Sequence, residues 1–275
     1  MALTIQTNVA SLEAQKALYG NQKALMSSFN KLSSGFRVNS AADDAAGLAI
    51  SENMKSQIRS YTVAERNAAD GISMSQTAEG ALGQVHDVLG RMRELAMQAS
   101  NGSLGATDRG YTNTEFQSLS AEITRIQDST KFNGNKLVNS TASSVTFQVG
   151  LNNSSSDQIA VDFGGLDLSA LTATDISGAT ASSALAALGT IDTAITSVSD
   201  SRSKFGTAMN RLQVATGNIQ TMRLNISAAN SRIRDVDVAT ETAALSRNQV
   251  LSQAGVSVLA QANQLPQMAF SLIQH

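Results

Sequence analysis

The sequence of 275 residues contains no cysteine, which excludes both a disulfide framework and a thiolate metal site. Histidine occurs only at His86 and His275, too few for a histidine metal cluster or a proton relay. Tryptophan is absent, and the single proline is Pro266, so little in the chain prevents long helices. Charge is also scarce. Charged residues make up 15% of the chain, against roughly 25% in ordinary soluble proteins. Ser, Thr, Asn and Gln fill the difference. The 20 basic and 22 acidic residues leave a formal net charge of −2, which gives neither nucleic acid nor an anionic membrane an electrostatic hold. No run approaches the ~20 apolar residues of a membrane span. The first residues, Met1 to Thr7, lack the basic and apolar segments of a secretory leader, and the first basic residue is Lys16. The expected location is the cytosol, or the outside of the cell by a route that reads no cleaved leader. No nucleophile–base set, phosphate-binding glycine loop or metal cluster appears, so neither enzymatic activity nor a cofactor is expected.

Apolar spacing is abundant. The hydrophobic fraction of 42% is enough for one or two domains with a real core. From Leu188 to Ile233, apolar or small residues recur at steps of three and four, through Ile195, Val198, Phe205, Leu212, Ile219, Met222 and Ile226. No proline interrupts the run, so one helix of about 70 Å is expected. Arg202 occupies one seam position, where its stem can lie along the seam while its guanidinium reaches water. Two steps of three meet at Leu212, a local stammer in the heptad.

A helix that long requires a long partner. Residues 41–99 supply it, with a heptad at Ala78, Leu82, Val85, Leu89, Met92, Ala96 and Ala99. The two are expected to pack antiparallel in a long helical bundle. Ser40 reads as the cap of the 41–99 helix, with Asp43 three residues on. His86 lies off the seam. Asn101 to Gly105 breaks the rod, and Thr112 to Glu115 reads as the start of a third helix carrying Phe116, Leu119, Ile123 and Ile126. Asn133-Gly134 is a turn signal.

Residues 144–163 change period. Val145, Phe147 and Val149 alternate with Thr146 and Gln148, Ile159, Val161 and Phe163 alternate with Ala160 and Asp162, and a β-hairpin is expected there. Residues 164–183, rich in Gly, Ser, Thr and Ala, read as a surface excursion. At the two ends, residues 4–34 carry a stripe of Ile5, Val9, Leu12, Leu25, Phe29 and Leu32, stopped at Gly35. A last helix carries Leu251, Ala254, Val258 and Leu265 and is expected to stop near Pro266. Such helices are marginal alone, and their apolar faces are more naturally buried against other copies. The fold class is mainly α, a long antiparallel bundle with one β-hairpin and a terminal-helix coiled coil.

Several stretches together resemble bacterial flagellin. They are Ile5-Gln6-Thr7-Asn8-Val9-Ala10-Ser11-Leu12, the run from Leu32 to Leu48 containing Ala42-Asp43-Asp44-Ala45-Ala46-Gly47-Leu48, Arg91 to Ala99, Lys131-Phe132-Asn133-Gly134, and Gln253 to Gln267. The resemblance implies a short family member. Residues 1–40 and 234–275 would form a discontinuous inner coiled-coil domain, and 41–233 a bundle domain, with the large outer domains absent. It implies a structural subunit that polymerises with copies of itself into the extracellular flagellar filament, the propeller for swimming motility. It also implies an export chaperone, a filament cap and hook–filament junction proteins as partners. Arg91, Leu95 and Glu122 align with positions contacted by the innate immune receptor for flagellin, although Gly90 stands where the family commonly has glutamine. The seam residues Leu82, Val85, Leu89, Met92, Ile195, Val198, Ile219, Met222 and Ile226 would hold the bundle. The stripes of the terminal helices would form the filament core. A secretion-system needle or junction protein shares the helical pattern. The Ala-Asp-Asp-Ala-Ala-Gly-Leu motif and the terminus through Pro266 favour the filament subunit.

Overall fold

Glycine, aspartate and hydroxyl residues set the element boundaries. A computed structural model of the chain describes residues 7–273 apart from Gly165 and Ala179, with side chains as far as Gln264. The elements are α1 (Val9–Ser34), α2 (Ala45–Ala99), α3 (Ala106–Ser129), β1 (Lys131–Phe132), β2 (Asn135–Lys136), β3 (Ser144–Gln148), β4 (Gln158–Asp162), α4 (Ser169–Thr172), α5 (Ser182–Arg234) and α6 (Val238–Ile273). The chain divides into two compact units, Met1–Ser56 with Asn225–His275, and Gln57–Leu224.

In the unit Gln57–Leu224, α2 and α5 pack antiparallel. Met74, Ala78, Leu82, Val85, Leu89, Met92, Ala96 and Ala99 are buried along α2. Across from them, α5 buries Ala184, Ala187, Ile191, Ala194, Val198, Phe205, Ala208, Leu212 and Ile219. Alternating alanines with large residues lets the two backbones approach while the large side chains interdigitate. The third helix contributes Phe116, Ile123 and Ile126. Ion pairs bracket the α2–α5 seam: Arg93 Nε to Asp192 at 2.7 Å, Arg202 Nη2 to Glu79 at 2.6 Å, and Arg223 Nη1 to Glu65 at 2.6 Å.

Antiparallel strands β3 and β4 place Val145 opposite Val161 and Phe147 opposite Ile159. Their inner face lies on α2 and α5 where Gly71 leaves room. A Cβ on Gly71 would stand 3.0 Å from Leu212 Cδ1 and 3.1 Å from the Phe147 ring. The stammer at Leu212 thus coincides with the place where hairpin and both rods meet, and α5 stays helical through it. Phe163 and Phe205 add a tilted ring contact at 5.3 Å. The small hairpin β1–β2 turns on Asn133 (φ 48°) and Gly134 (φ 83°). Both are left-handed, as an Asn-Gly turn of this length requires.

Several boundaries differ from the sequence expectations. Helix α2 begins at Ala45 and is capped by Asp44, whose Oδ1 accepts the Gly47 N–H at 2.8 Å. Ser40 is instead held in the preceding turn, donating its N–H and hydroxyl to Asp43 Oδ2 at 2.9 and 3.0 Å. Helix α3 begins at Ala106, with Asp108 accepting the Gly105 N–H. Thr112 and Thr114 lie inside it, because their hydroxyls donate back to the Arg109 and Gly110 carbonyls. The Arg202 guanidinium does not simply reach water but pairs with Glu79. The backbone of α6 continues through Pro266 to Ile273, since proline's fixed φ is helical and its ring removes one hydrogen bond without reversing the winding.

The largest difference is in 164–183. Leu166, Leu168, Leu171 and Ile176 are buried against the bundle, so the segment belongs to the core. Its backbone is satisfied from α3. Gln117 Nε2 donates to the Thr174 carbonyl at 2.7 Å, and Asn113 Oδ1 accepts the Ile176 N–H at 3.1 Å. Polar helix side chains thereby replace the regular structure that the segment lacks.

Candidate assembly surface

The unit Met1–Ser56 with Asn225–His275 is built on α1 and α6, which pack antiparallel. Helix α1 starts on Asn8, whose side chain accepts the Ser11 N–H at 3.0 Å. It ends at Gly35, whose φ of 74° is left-handed and whose N–H returns to the Lys31 carbonyl. The inner seam mixes small and polar side chains with leucines. On α1 its buried or half-buried positions include Ser11, Ala14, Leu18, Asn21, Leu25, Ser28 and Leu32. On α6 they include Asn248, Ser252, Gly255, Leu259 and Ala262. Hydrogen bonds fix the pairing: Asn8 Nδ2 donates to the Ala262 carbonyl, Ser11 Oγ to Asn263 Oδ1 and Asn21 Nδ2 to the Asn248 carbonyl, each at 2.8 Å.

Two crossing segments tie the unit where α1 ends and α6 begins. Arg37 N–H donates to the Arg234 carbonyl at 2.6 Å, and its guanidinium donates to the Ile233 carbonyl at 2.7 Å. The Val236 N–H returns to the Gly35 carbonyl. The Arg234 guanidinium lies 4.5 Å from the centroid of the Phe36 ring and donates to Glu52 Oε1 at 2.7 Å. That donation holds the Glu52 carboxyl below its ordinary value. Ser51 Oγ donates to Asn230 Oδ1 at 2.8 Å.

The residues expected to build the filament core fall on both sides of this pair. Leu25 and Leu32 are half-buried at the inner seam. Val9, Leu12, Phe29, Leu251 and Val258 point outward, each more than half exposed, and Ala254 is exposed beside them. Ile5 and the side chain of Leu265 lie outside the described residues. The sequence expectation includes Leu25 and Leu32 of the inner seam and omits Ser11, Ala14, Leu18, Asn21 and Ser28, whose three-four spacing with those leucines is the available signal.

Among the bundle residues, Leu82, Val85, Leu89, Met92, Val198 and Ile219 are buried, and Ile195 is half-buried. Met222 is exposed, and its Sδ accepts the Tyr61 hydroxyl at 3.3 Å. Ile226 is half-buried in the terminal-helix unit. Arg91 is half exposed and donates to Glu94 at 2.8 Å and to Glu115 at 2.9 and 3.0 Å. Glu122 is paired with Arg125 at 2.6 Å, which lowers its carboxyl pKa. Leu95 is only 2% exposed, so it stands inside the core while Arg91 and Glu122 stand on the surface. His86 is half-buried.

Among the described residues, no group of three or more His, Asp or Glu side chains is placed to hold a metal ion, and no helix is long and apolar enough to cross a membrane. What the geometry offers is an outward apolar surface on a helix pair.

Comparison with known proteins gives this surface its context. Residues 5–143 match the bacterial flagellin N-terminal helical region, and residues 188–273 match the bacterial flagellin C-terminal helical region. The chain is 45% identical to a flagellin of Halalkalibacterium halodurans, covering 99% of this chain and 100% of that one. It is 38% identical to a flagellin of Bacillus subtilis, again covering 99% and 100%. A crystal structure of Bacillus cereus flagellin matches with a TM-score of 0.50 at 33% identity, covering 60% of this chain and 94% of that one. The chain is a short member of the bacterial flagellin family, a structural, non-enzymatic subunit that polymerises with other flagellin subunits into the extracellular filament of the bacterial flagellum.

Proposed function

We propose that the α1–α6 pair is the element through which subunits polymerise and that its helices complete their ordering on assembly. The observation that supports this is the apolar face that the pair leaves without a partner. Small and polar residues share the inner seam with Leu18, Leu25, Leu32 and Leu259, while Val9, Leu12, Phe29, Leu251 and Val258 face outward. Burying one such side chain contributes roughly 1.5–3 kcal/mol, and an isolated subunit leaves that contribution unused. In this reading residues 1–40 and 234–275 form the inner, channel-lining layer of the filament, and residues 41–233 form the layer around it. A chain lacking residues 1–35 and 240–275 should remain monomeric under seeding or salting-out, as read by sedimentation and negative-stain microscopy. Native-like filaments from that chain would remove the reading.

An export chaperone, a filament cap and hook–filament junction proteins complete the proposed partner set, on the strength of the family resemblance. They are read by affinity capture with the full chain, in which outward substitutions on α1 and α6 should weaken capture. Recognition by the innate immune receptor for flagellin belongs to the same set. Arg91 and Glu122 are its surface contacts in this reading, and the buried Leu95 supports the α2–α3 face beneath them. In a reporter-cell assay with monomer, an Arg91→Ala, Leu95→Ala double variant should lose most of its signal, and an unchanged signal would remove the receptor reading.

A further inference from the structure

Large outward side chains recur on α1 at a fixed interval. Leu12, Tyr19 and Met26 are seven residues apart and 56%, 72% and 66% exposed. Seven residues are close to two helical turns, so the three stand in one row. At about 100° per residue the row lies on the side of α1 opposite Ala14, Leu18 and Asn21, which face α6. It cannot turn inward within its own subunit.

The same helix pair carries a groove of about 360 Å³ between Ala14, Ala17 and Leu18 on α1 and Leu251, Ala254 and Val258 on α6. Its walls are low because three of these residues are alanine. Gly255 lets the helices approach beneath it, since a Cβ there would stand 3.3 Å from Leu18 Cδ1. Row and groove therefore occupy different faces of one unit, one a line of large side chains and the other a concavity where alanines and Gly255 lie between Leu18, Leu251 and Val258.

We propose that the Leu12–Tyr19–Met26 row of one copy seats in the α1–α6 groove of the next. This deepens, and rests on, the reading that the terminal helices drive polymerisation. Because the two complementary surfaces lie on different faces of the subunit, the contact is heterologous. Such a contact propagates as a helical array unless its rotation closes a ring. Knobs entering a floor of alanine and glycine reproduce the packing of a helical bundle across the boundary between copies.

Charge selects this partner over the simpler one. Lys16 and Lys23 interleave with the row at steps of three and four. Two α1 rows placed back to back would bring these four ammonium groups together, and like charges disfavour that pairing. The groove lining is uncharged, and α6 carries no charged residue from Asn248 to Gln264. There the lysine stems can lie on apolar surface with their ammonium groups in water. The two lysines thus disfavour the closed, two-fold pair relative to the open one.

The test uses the full chain. An Ala17→Leu, Ala254→Leu variant fills the groove at two exposed helical positions where leucine is well tolerated. A Tyr19→Ala, Met26→Ala variant removes knobs. Gln253→Leu adds the same leucine at an exposed position of α6 on the side away from the groove, outside both features, and serves as the control. Seeded polymerisation is followed by light scattering and microscopy, with circular dichroism confirming the monomer's helicity. Each double variant should raise the critical concentration at least about tenfold, and Gln253→Leu should leave it unchanged. Each double variant keeps one half of the contact, so a minor fraction of the one whose intact half meets the growing end should stall elongation of the unsubstituted chain, and the other should not. Polymerisation of the groove-filled variant at the unsubstituted critical concentration overturns the proposal, as does equal impairment by Gln253→Leu. Polymerisation of the chain lacking residues 1–35 and 240–275 overturns instead the reading beneath it, so the two failures are distinguishable.

Discussion

Leu89 and Leu251 are the same residue on helices of the same spacing, yet Leu89 is fully buried and Leu251 is 52% exposed. Leu89→Ala removes side-chain volume from a closed core and should cost about 2–5 kcal/mol. In a unit of this size that lowers the thermal midpoint by about 2–4 °C per kcal/mol. Leu251→Ala should leave the monomer's midpoint nearly unmoved and raise the critical concentration for polymerisation. Calorimetry on the monomer and a sedimentation assay on the polymer separate the two effects. A monomer midpoint that falls equally for both would mean that Leu251 is part of the subunit's own core. Gly71 shows the opposite economy, since its missing side chain leaves room for Leu212 and Phe147 together. Neither the burial difference nor the role of Gly71 follows from residue identity.

At the scale of elements, the heptads of α2 and α5 were legible because both helices bury their large residues toward each other, and the spacing then names the seam. The terminal helices were legible as helices but not in their orientation. Period alone gives two parallel stripes, and only the partner decides which one turns inward. The hydrogen bonds of Asn8, Ser11 and Asn21 to α6 choose the stripe that also carries Leu18 and Leu25. Local chemistry also displaced the helix starts, as Asp44 and Asp108 reach backbone N–H groups that Ser40 and Thr112 do not. Gly35 is the element-scale hinge of this arrangement, left-handed at the end of α1 and accepting from Val236. Gly35→Ala should cost about 1–2 kcal/mol, the penalty for a Cβ in the left-handed region. Amide exchange at Val236 and at the last turn of α1 should accelerate accordingly, with amides inside α3 unchanged. Equal acceleration in α3 would mean that the substitution acts globally.

At the scale of the molecule, stability should depend on pH in one direction. Hydrogen bonds from Ser40 hold Asp43, and cationic partners hold Glu52, Glu122, Asp128 and Asp192, below ordinary carboxylate pKa values. A carboxylate with a depressed folded pKa contributes fully above its unfolded value. The contribution is lost as pH falls through the folded one. The midpoint of urea denaturation should therefore hold through neutral pH as far as these groups are concerned and fall between about pH 5 and 3. All five side chains are exposed, so added salt should flatten the dependence. A midpoint that rises on acidification in that window would contradict the assignment.

The sequence by itself determined the long helices, the antiparallel α2–α5 seam, the hairpin at 144–163 and the family. Each rests on local periodicity or on motifs read in order along the chain. Tertiary structure decided three further things. Leu166, Leu168, Leu171 and Ile176 became core because side chains of α3 satisfy a backbone that has no regular structure of its own. Arg202 found Glu79 across the seam, 123 residues away. The terminal helices turned a mixed stripe of small, polar and leucine side chains toward each other and left Val9, Leu12, Phe29, Leu251 and Val258 outside. A periodic pattern specifies that a face will be buried. Whether its partner is the same chain or the next copy depends on which hydrogen bonds and close approaches the folded subunit can make, and those appear only once α1 and α6 lie side by side.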